Sequence, residues 1–173
     1  MLIYIKGVRS KKTRERIRNS VKFYLTKLLG KRKRDNLSIF VNILSKSADG
    51  DTYGYCDPLG KNEKTGRDEY EITCVHQPKI NPLKGNVYRT LAHELVHVKQ
   101  FATGQMSRYI VTKKTSSGRR LTGTLWEGKV YTNSKYEDTD EGYYNSPWEI
   151  EAYGREVGLY RLWKHSMNEE EDL

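Results

Sequence analysis

Cysteine is nearly absent from this chain of 173 residues: only Cys56 and Cys74 occur, and neither belongs to a Cys-x-x-Cys pair. That excludes a zinc ribbon and a thioredoxin-like redox motif and leaves room for one disulfide at most. Long apolar runs are also missing, since no stretch approaches about 18 consecutive apolar residues. The opening "MLIYIKGVRS" is broken by Lys6, too early for a signal sequence or a membrane span. These absences point to a soluble, cytoplasmic protein. Acid is scarce in one place only. Residues 1–34 hold thirteen Lys or Arg against the single acid Glu15, whereas residues 35–173 hold eighteen against twenty-one. A local basic segment of this kind is either a solvated face or a surface for phosphate backbones. Within it, Lys31, Arg32, Lys33 and Arg34 are the candidates for nucleic-acid contact. Histidine is rare too, with four copies, so a metal site has few sources of imidazole.

What is present describes one α+β domain, long enough to bury a continuous core. Its basic helical N-terminal segment covers residues 1–34 and its acidic tail residues 167–173. In residues 10–30, Ile17, Val21, Tyr24, Leu25 and Leu28 recur at helical spacing opposite Lys11, Arg14, Arg18 and Lys22, which predicts an amphipathic helix. "LSIFVNIL" (37–44) reads as a strand, and "ADGDTYGYCDPLG" followed by "RDEYEITCVH" reads as turn-punctuated strands. A helix is predicted over "NVYRTLAHELVHVKQFATG", ending at Gly104. Residues 105–145 read as a long loop holding one hairpin around Glu127-Gly128. The last helix starts at "SPWEIEAYGREVGLYRLW", with Ser146 as N-cap and Pro147 in its first turn.

The chemistry concentrates in "TLAHELVHVKQF". On a helix His93 and His97 lie one turn apart on one face, close enough for both imidazoles to reach one metal ion. Glu94 stands beside them, where a carboxylate can take a proton from water. Leu91, Leu95, Val98 and Ala102 form the opposite, packing face. One zinc ion suits neutral imidazoles, and a catalytic zinc site takes a third protein ligand while leaving one position to water. Glu149 is the first candidate for that ligand, because it falls on the inward, mostly apolar face of the last helix with Ala152, Tyr153, Glu156, Tyr160 and Trp163. Glu151 falls on the outer face. Competing assignments are a capping box, in which Glu149 bonds back to Ser146, Glu156 as a reserve ligand, and His76 as a further one.

At "HELVH" and the later "EIEAY" the chain resembles the zincin metallopeptidases, and within them the gluzincins, whose third zinc ligand is a glutamate on a downstream helix. The resemblance covers residues 69–165 and is specific only at the two motifs. It implies a zincin-like fold: an N-terminal helix, a small mixed sheet, the His-Glu-x-x-His helix and a C-terminal helix bearing the third ligand. It also implies His93, His97 and Glu149 as zinc ligands, Glu94 as general base, and a protein or peptide substrate paired along an edge strand, here assigned to "EYEITCVH". Gluzincins often place an aspartate four residues after the ligand glutamate to orient a histidine. Here that position is Tyr153, which reads first as a packed ring and otherwise as a hydroxyl for the same job or for stabilising an oxyanion, with Tyr143 and Tyr144 nearby in sequence. "TLAHELVHVKQ" and "PWEIEAYGRE" are also similar to small uncharacterised metallopeptidase-like proteins of tailed phages and bacteria, implying the cytoplasm of a bacterium or phage-infected host. SprT-like proteases, which act on DNA-bound proteins, are a more distant comparison. The expected function is therefore a zinc-dependent peptidase. The alternatives are a non-catalytic, zinc-stabilised nucleic-acid-binding protein and a peptidase kept latent by residues 105–145 or by the tail.

Overall fold

The computed structural model describes residues 1–46, 53–77, 86–114, 120–132 and 139–171, and the architecture is α+β. The chain opens with a strand, β1 (Leu2–Lys6), where the sequence predicted part of a helical segment. Alternation explains the difference: Ile3 and Ile5 turn inward while Leu2, Tyr4 and Lys6 face out, a period of two that suits a sheet. Helix α1 (Lys11–Leu28) follows, capped by the Ser10 hydroxyl accepting from Thr13 N. A short helix α2 (Lys31–Asp35) then leads into β2 (Leu37–Leu44).

Strands β3 (Gly54–Lys61) and β4 (Asp68–Val75) complete a four-stranded sheet of order β1-β2-β4-β3. β1 and β4 both run parallel to β2, and β3 runs antiparallel to β4. Consequently β4, the predicted substrate-pairing edge, is an interior strand with partners on both sides. The edge belongs to β3, which falls within the turn-punctuated strands read from the sequence; Pro58 and Gly60 interrupt its pattern, and the register shifts there.

Helix α3 (Val87–Thr103) carries the histidine motif. Asn86 caps its start by accepting from Tyr88 N and Arg89 N, and Gly104 ends it in the left-handed conformation at φ 75°, where a glycine costs least. α3 packs against β3 and β4 on one side, against α1 on another, and against the last helix, α5 (Pro147–Glu171). Leu91, Leu95 and Val98 have no exposed surface, and Ile39, Val41, Ile72 and Cys74 meet them from the sheet. Phe23 and Tyr24 of α1 close on Trp163 of α5 at ring separations of 5.6 and 6.3 Å. Removing water from each such side chain contributes about 1.5–3 kcal/mol. Cys56 and Cys74 are both buried free thiols.

Within the predicted loop 105–145 the described residues hold β5 (Met106–Lys114), β6 (Arg120–Trp126) and β7 (Lys129–Thr132), an antiparallel three-stranded layer, while residues 115–119 and 133–138 lie outside the described ones. The hairpin between β6 and β7 turns at Glu127 and Gly128, φ 47° and 80°, the twin positive φ of a two-residue hairpin turn. Met106, Trp126 and Trp148 bury one another, with Phe101 and Tyr131 packed alongside, and so seat this sheet where α5 begins. A short helix, α4 (Asp140–Asn145), precedes α5. α5 continues to Glu171 through the predicted tail, whose last two residues lie outside the described ones. Among the described residues, no helix is long and apolar enough to cross a membrane.

Candidate metal centre

Three buried side chains converge between α3 and α5. His93 Nε2 lies 3.1 Å from Glu149 Oε2, His97 Nε2 lies 3.3 Å from Glu149 Oε1, and the two Nε2 atoms are 3.3 Å apart. Among the described residues, His93, His97 and Glu149 are the group whose ligand atoms all fall within 4.8 Å of one another. The capping-box alternative for Glu149 is thereby displaced, since the Ser146 hydroxyl donates to Tyr143 O at 2.7 Å and the Glu149 carboxylate turns to the histidines. Its position in the first turn of α5 is what aims it across the helix interface at α3.

The far side of each ring fixes its tautomer. His93 Nδ1 is 2.9 Å from Glu156 Oε2, an acceptor, and Arg89 Nε and Nη2 hold the other oxygen of that carboxylate at 2.8 and 2.5 Å. His97 Nδ1 is 2.8 Å from Gln100 Oε1. Gln100 is oriented the same way round, because its Nε2 donates to Trp148 O at 2.9 Å and Glu151 Oε2 at 3.2 Å, both acceptors. Each imidazole therefore donates from Nδ1 and presents a bare Nε2 lone pair inward. Two lone pairs and a carboxylate then face one another inside 3.3 Å. Such a cluster of acceptors needs a cation or protons between them.

The titration behaviour expresses the same need. Burial works to lower the His93 pKa, yet its hydrogen bonds to Glu149 and Glu156 prevail and raise it to about 10. His97 is likewise raised by Glu149 against its burial. Burial works to raise Glu149, but the two histidines draw it down to about 2. With no metal bound, protons on the rings take the place that a divalent cation fits, and the donor set of two nitrogens and a carboxylate oxygen is one that zinc accepts.

Glu94 is 4% exposed and its carboxyl is pushed up by burial, although both histidines act to lower it. It is pressed between α3 and the edge strand. A Cβ added to Gly54 of β3 would lie 2.6 Å from Glu94 Oε1 and would also collide with Thr90 Cγ2, so only a glycine admits the carboxylate there. Tyr153 sets its ring edge-on to His93, centroids 4.6 Å apart, and is 36% exposed, so it is a rim residue and not a packed one. Tyr143 lies close enough to both Tyr153 and Glu149 to couple to them electrostatically. Burial lifts the Tyr153 phenol to about 12 and that of Tyr143 further still. Tyr144 completes the rim, 5.7 Å from Tyr153.

Several sequence expectations change here. The carboxylate that orients a histidine is Glu156, seven residues after Glu149 and two helical turns on, whereas Tyr153 sets its ring edge-on to His93. Glu156, the reserve ligand, stands behind His93 at Nδ1 and not at the cluster. Glu151, expected in solvent, is half-buried and accepts from Lys99, Gln100 and Arg155. His76 is exposed at the end of β4, beside Arg16 and Tyr88 and outside the cluster. Gln100, Arg89 and Gly54 were not singled out from sequence. For the first two a signal existed: Gln100 is three residues after His97 and Arg89 four before His93, the helical neighbours of each ligand. Lys31, Arg32, Lys33 and Arg34 lie on α2, apart from the cluster.

The fold and site define an α+β protein with a buried His-His-Glu cluster and an adjacent buried glutamate. Comparison with protein-family models, with curated proteins and with solved structures gives no match.

Proposed function

We propose that this protein is a zinc-dependent peptidase of zincin-like, gluzincin-type organisation. The observation that carries the proposal is the pairing of two features: a cluster of His93, His97 and Glu149 within 4.8 Å, and a separate buried acid, Glu94, wedged against an edge strand. A site that only stabilises the fold has no use for a buried proton acceptor next to its ligands.

A zinc ion held by His93, His97 and Glu149 would supply a Lewis acid that polarises a peptide carbonyl and makes water acidic enough to react near neutral pH. The chain's own groups supply the rest. Glu94 accepts the proton of the attacking water and returns it to the departing amine; its raised pKa suits a group that must do both. Glu156 and Gln100 keep the rings turned with Nε2 inward. Tyr143 and Tyr153 place hydroxyls at the rim, within reach of an oxyanion forming beside Glu149. The outer edge of β3, which has no strand partner among the described residues and passes Glu94 at Gly54, offers backbone N–H and C=O groups to an extended substrate. Hydrolysis proceeds by direct attack of water, with no acyl-enzyme.

The test is Glu94→Gln. Both it and the wild type should purify with one zinc per chain, while only the wild type should cleave an unfolded protein such as reduced casein at neutral pH. Wild-type protein fully loaded with zinc that cleaves nothing in a broad peptide library would reassign the site to structural stabilisation.

A further inference from the structure

The basic end of the first sheet is used by none of this chemistry. α2 presents Lys31, Arg32, Lys33 and Arg34 in succession, and the fold lays it beside the turn that joins β3 to β4. Arg67 Nη1 donates to Asp35 O at 2.6 Å, Asp68 N donates to Asn36 O at 3.1 Å, and Asn36 Nδ2 donates to Gly66 O at 3.5 Å. Lys61, Lys64 and Arg67 thus join the α2 residues although β2 and most of β3 separate them in sequence. Over residues 31–36 and 61–68, seven basic side chains stand against three acids, Asp35, Glu63 and Asp68.

Some of these charges are structural. Lys33 Nζ donates to Ala102 O at 3.0 Å, and Arg34 Nη1 donates to Thr26 Oγ1 at 2.8 Å, which anchors α2 to α3 and α1. Lys31, Arg32, Lys61 and Lys64 are exposed, and their side chains make no hydrogen bond or ion pair among the described residues. An open hollow of about 530 Å³ lies beside α2, lined by Arg32, Lys33, Asn36 and Leu37 together with Asp68 of β4 and Ala102 of α3.

We propose that this composite surface, α2 together with the β3–β4 turn, binds the phosphate backbone of nucleic acid. The choice of partner follows from what the surface lacks. Neither segment holds an exposed large apolar side chain, so there is nothing to insert between lipid headgroups and no aromatic or aliphatic centre of the kind a protein interface is built on. Cations and polar donors alone are what a phosphate backbone needs, and contacts of that sort position without reading sequence. The proposal is independent of the metal centre and stands or falls separately from the peptidase function.

The experiment measures binding of the full chain to a fluorescent 20-base-pair DNA by anisotropy from 50 to 300 mM NaCl. Two double variants each remove two charges from the surface, Lys31→Gln with Arg32→Gln, and Lys61→Gln with Lys64→Gln. A control, Lys11→Gln with Lys12→Gln, removes the same charge from the other end of α1, roughly 27 Å of helix away. All six side chains are exposed, so folding is unaffected and thermal melts should coincide. Each surface variant should lose about 1.8 from the slope of log affinity against log salt, which at 150 mM is roughly a thirtyfold weakening. The control should stay within about threefold. An equal loss in all three variants would reduce the effect to net charge, and a loss confined to the α2 pair would show that the two segments do not form one site; either overturns the proposal. So would absence of binding to duplex, single-stranded DNA and RNA alike, or tighter binding to phosphatidylserine vesicles with the same dependence on the surface residues.

Discussion

Replacing Gly54 with alanine puts a methyl group where β3 meets the face of α3 that carries Glu94. Its Cβ would sit 2.6 Å from Glu94 Oε1, with Thr90 Cγ2 also in the way. The backbone at Gly54 is not in the left-handed region, so alanine adds no dihedral strain and the whole penalty is steric. Overpacking of a tight site costs about 1–3 kcal/mol, and the stiffer unfolded chain of the alanine variant returns about 0.4–1 kcal/mol of that. A net loss of about 1–2 kcal/mol lowers Tm by about 2–8 °C in a chain of this size. The assay is thermal unfolding by circular dichroism of four proteins: wild type, Gly54→Ala, Glu94→Ala with Thr90→Ser, and the combination. With the two obstructing groups removed, adding the methyl should change Tm by no more than about 1 °C. A Tm drop of the same size in both backgrounds would refute the idea that Gly54 exists to admit Glu94. In the otherwise wild-type background, Gly54→Ala should also lose most peptidase activity while keeping its zinc.

Glu156→Gln removes the carboxylate that fixes His93 and leaves Arg89 without its partner; zinc affinity should fall by about 10–100-fold, measured by competition with a chelating dye. Gln100→Leu is close in size but cannot accept from His97 Nδ1, and a similar loss is expected, whereas Tyr144→Phe should leave zinc affinity unchanged. In metal-free protein the His93 pKa is raised to about 10, so its contribution to stability is fully present below its ordinary 6.5 and disappears as pH rises through 10. Glu149 is lowered to about 2, so its contribution is present above its ordinary 4.5 and disappears as pH falls toward 2. Metal-free protein should therefore melt highest between about pH 4.5 and 6.5, and zinc binding at pH 8 should release close to one proton from His93, detected by calorimetry in buffers of different ionisation enthalpy.

Local chemistry was legible in the sequence because it rides on helical spacing. His93, Glu94 and His97 follow from a four-residue interval, and Glu149 from its place on the inward face of a helix whose start Pro147 announces. The same spacing held Glu156, seven residues on, but nothing in one sequence says whether an inward carboxylate meets an ion or the back of a ring. Non-local pairing was not legible. That β1 precedes α1, that β2 separates β1 from β4, and that β3 takes the edge all depend on hydrogen bonds between residues far apart in the chain. β3 was read as strand, but Pro58 and Gly60 interrupt its pattern, so the edge role fell to the better-patterned β4. Residues 105–145 misled for a related reason: their Gly, Thr and charge content resembles loop, while Met106 and Trp126, which bury against Trp148, gave only sparse apolar markers. Gly54 left no sequence signal because its importance lies in what its missing side chain lets another element do.

The central claim is a metal ion held by two imidazoles and one carboxylate, and it is tested most directly by X-ray absorption spectroscopy of purified full-length protein at the zinc edge, with metal content measured in parallel for His97→Ala and Glu149→Ala. Wild type should hold one zinc per chain with two histidine nitrogens and carboxylate oxygen at about 2.0–2.2 Å, and both variants should emerge from dialysis against a mild chelator without metal. Wild-type protein that takes up no divalent ion, or a Glu149→Ala variant that binds zinc as tightly as wild type, would contradict it.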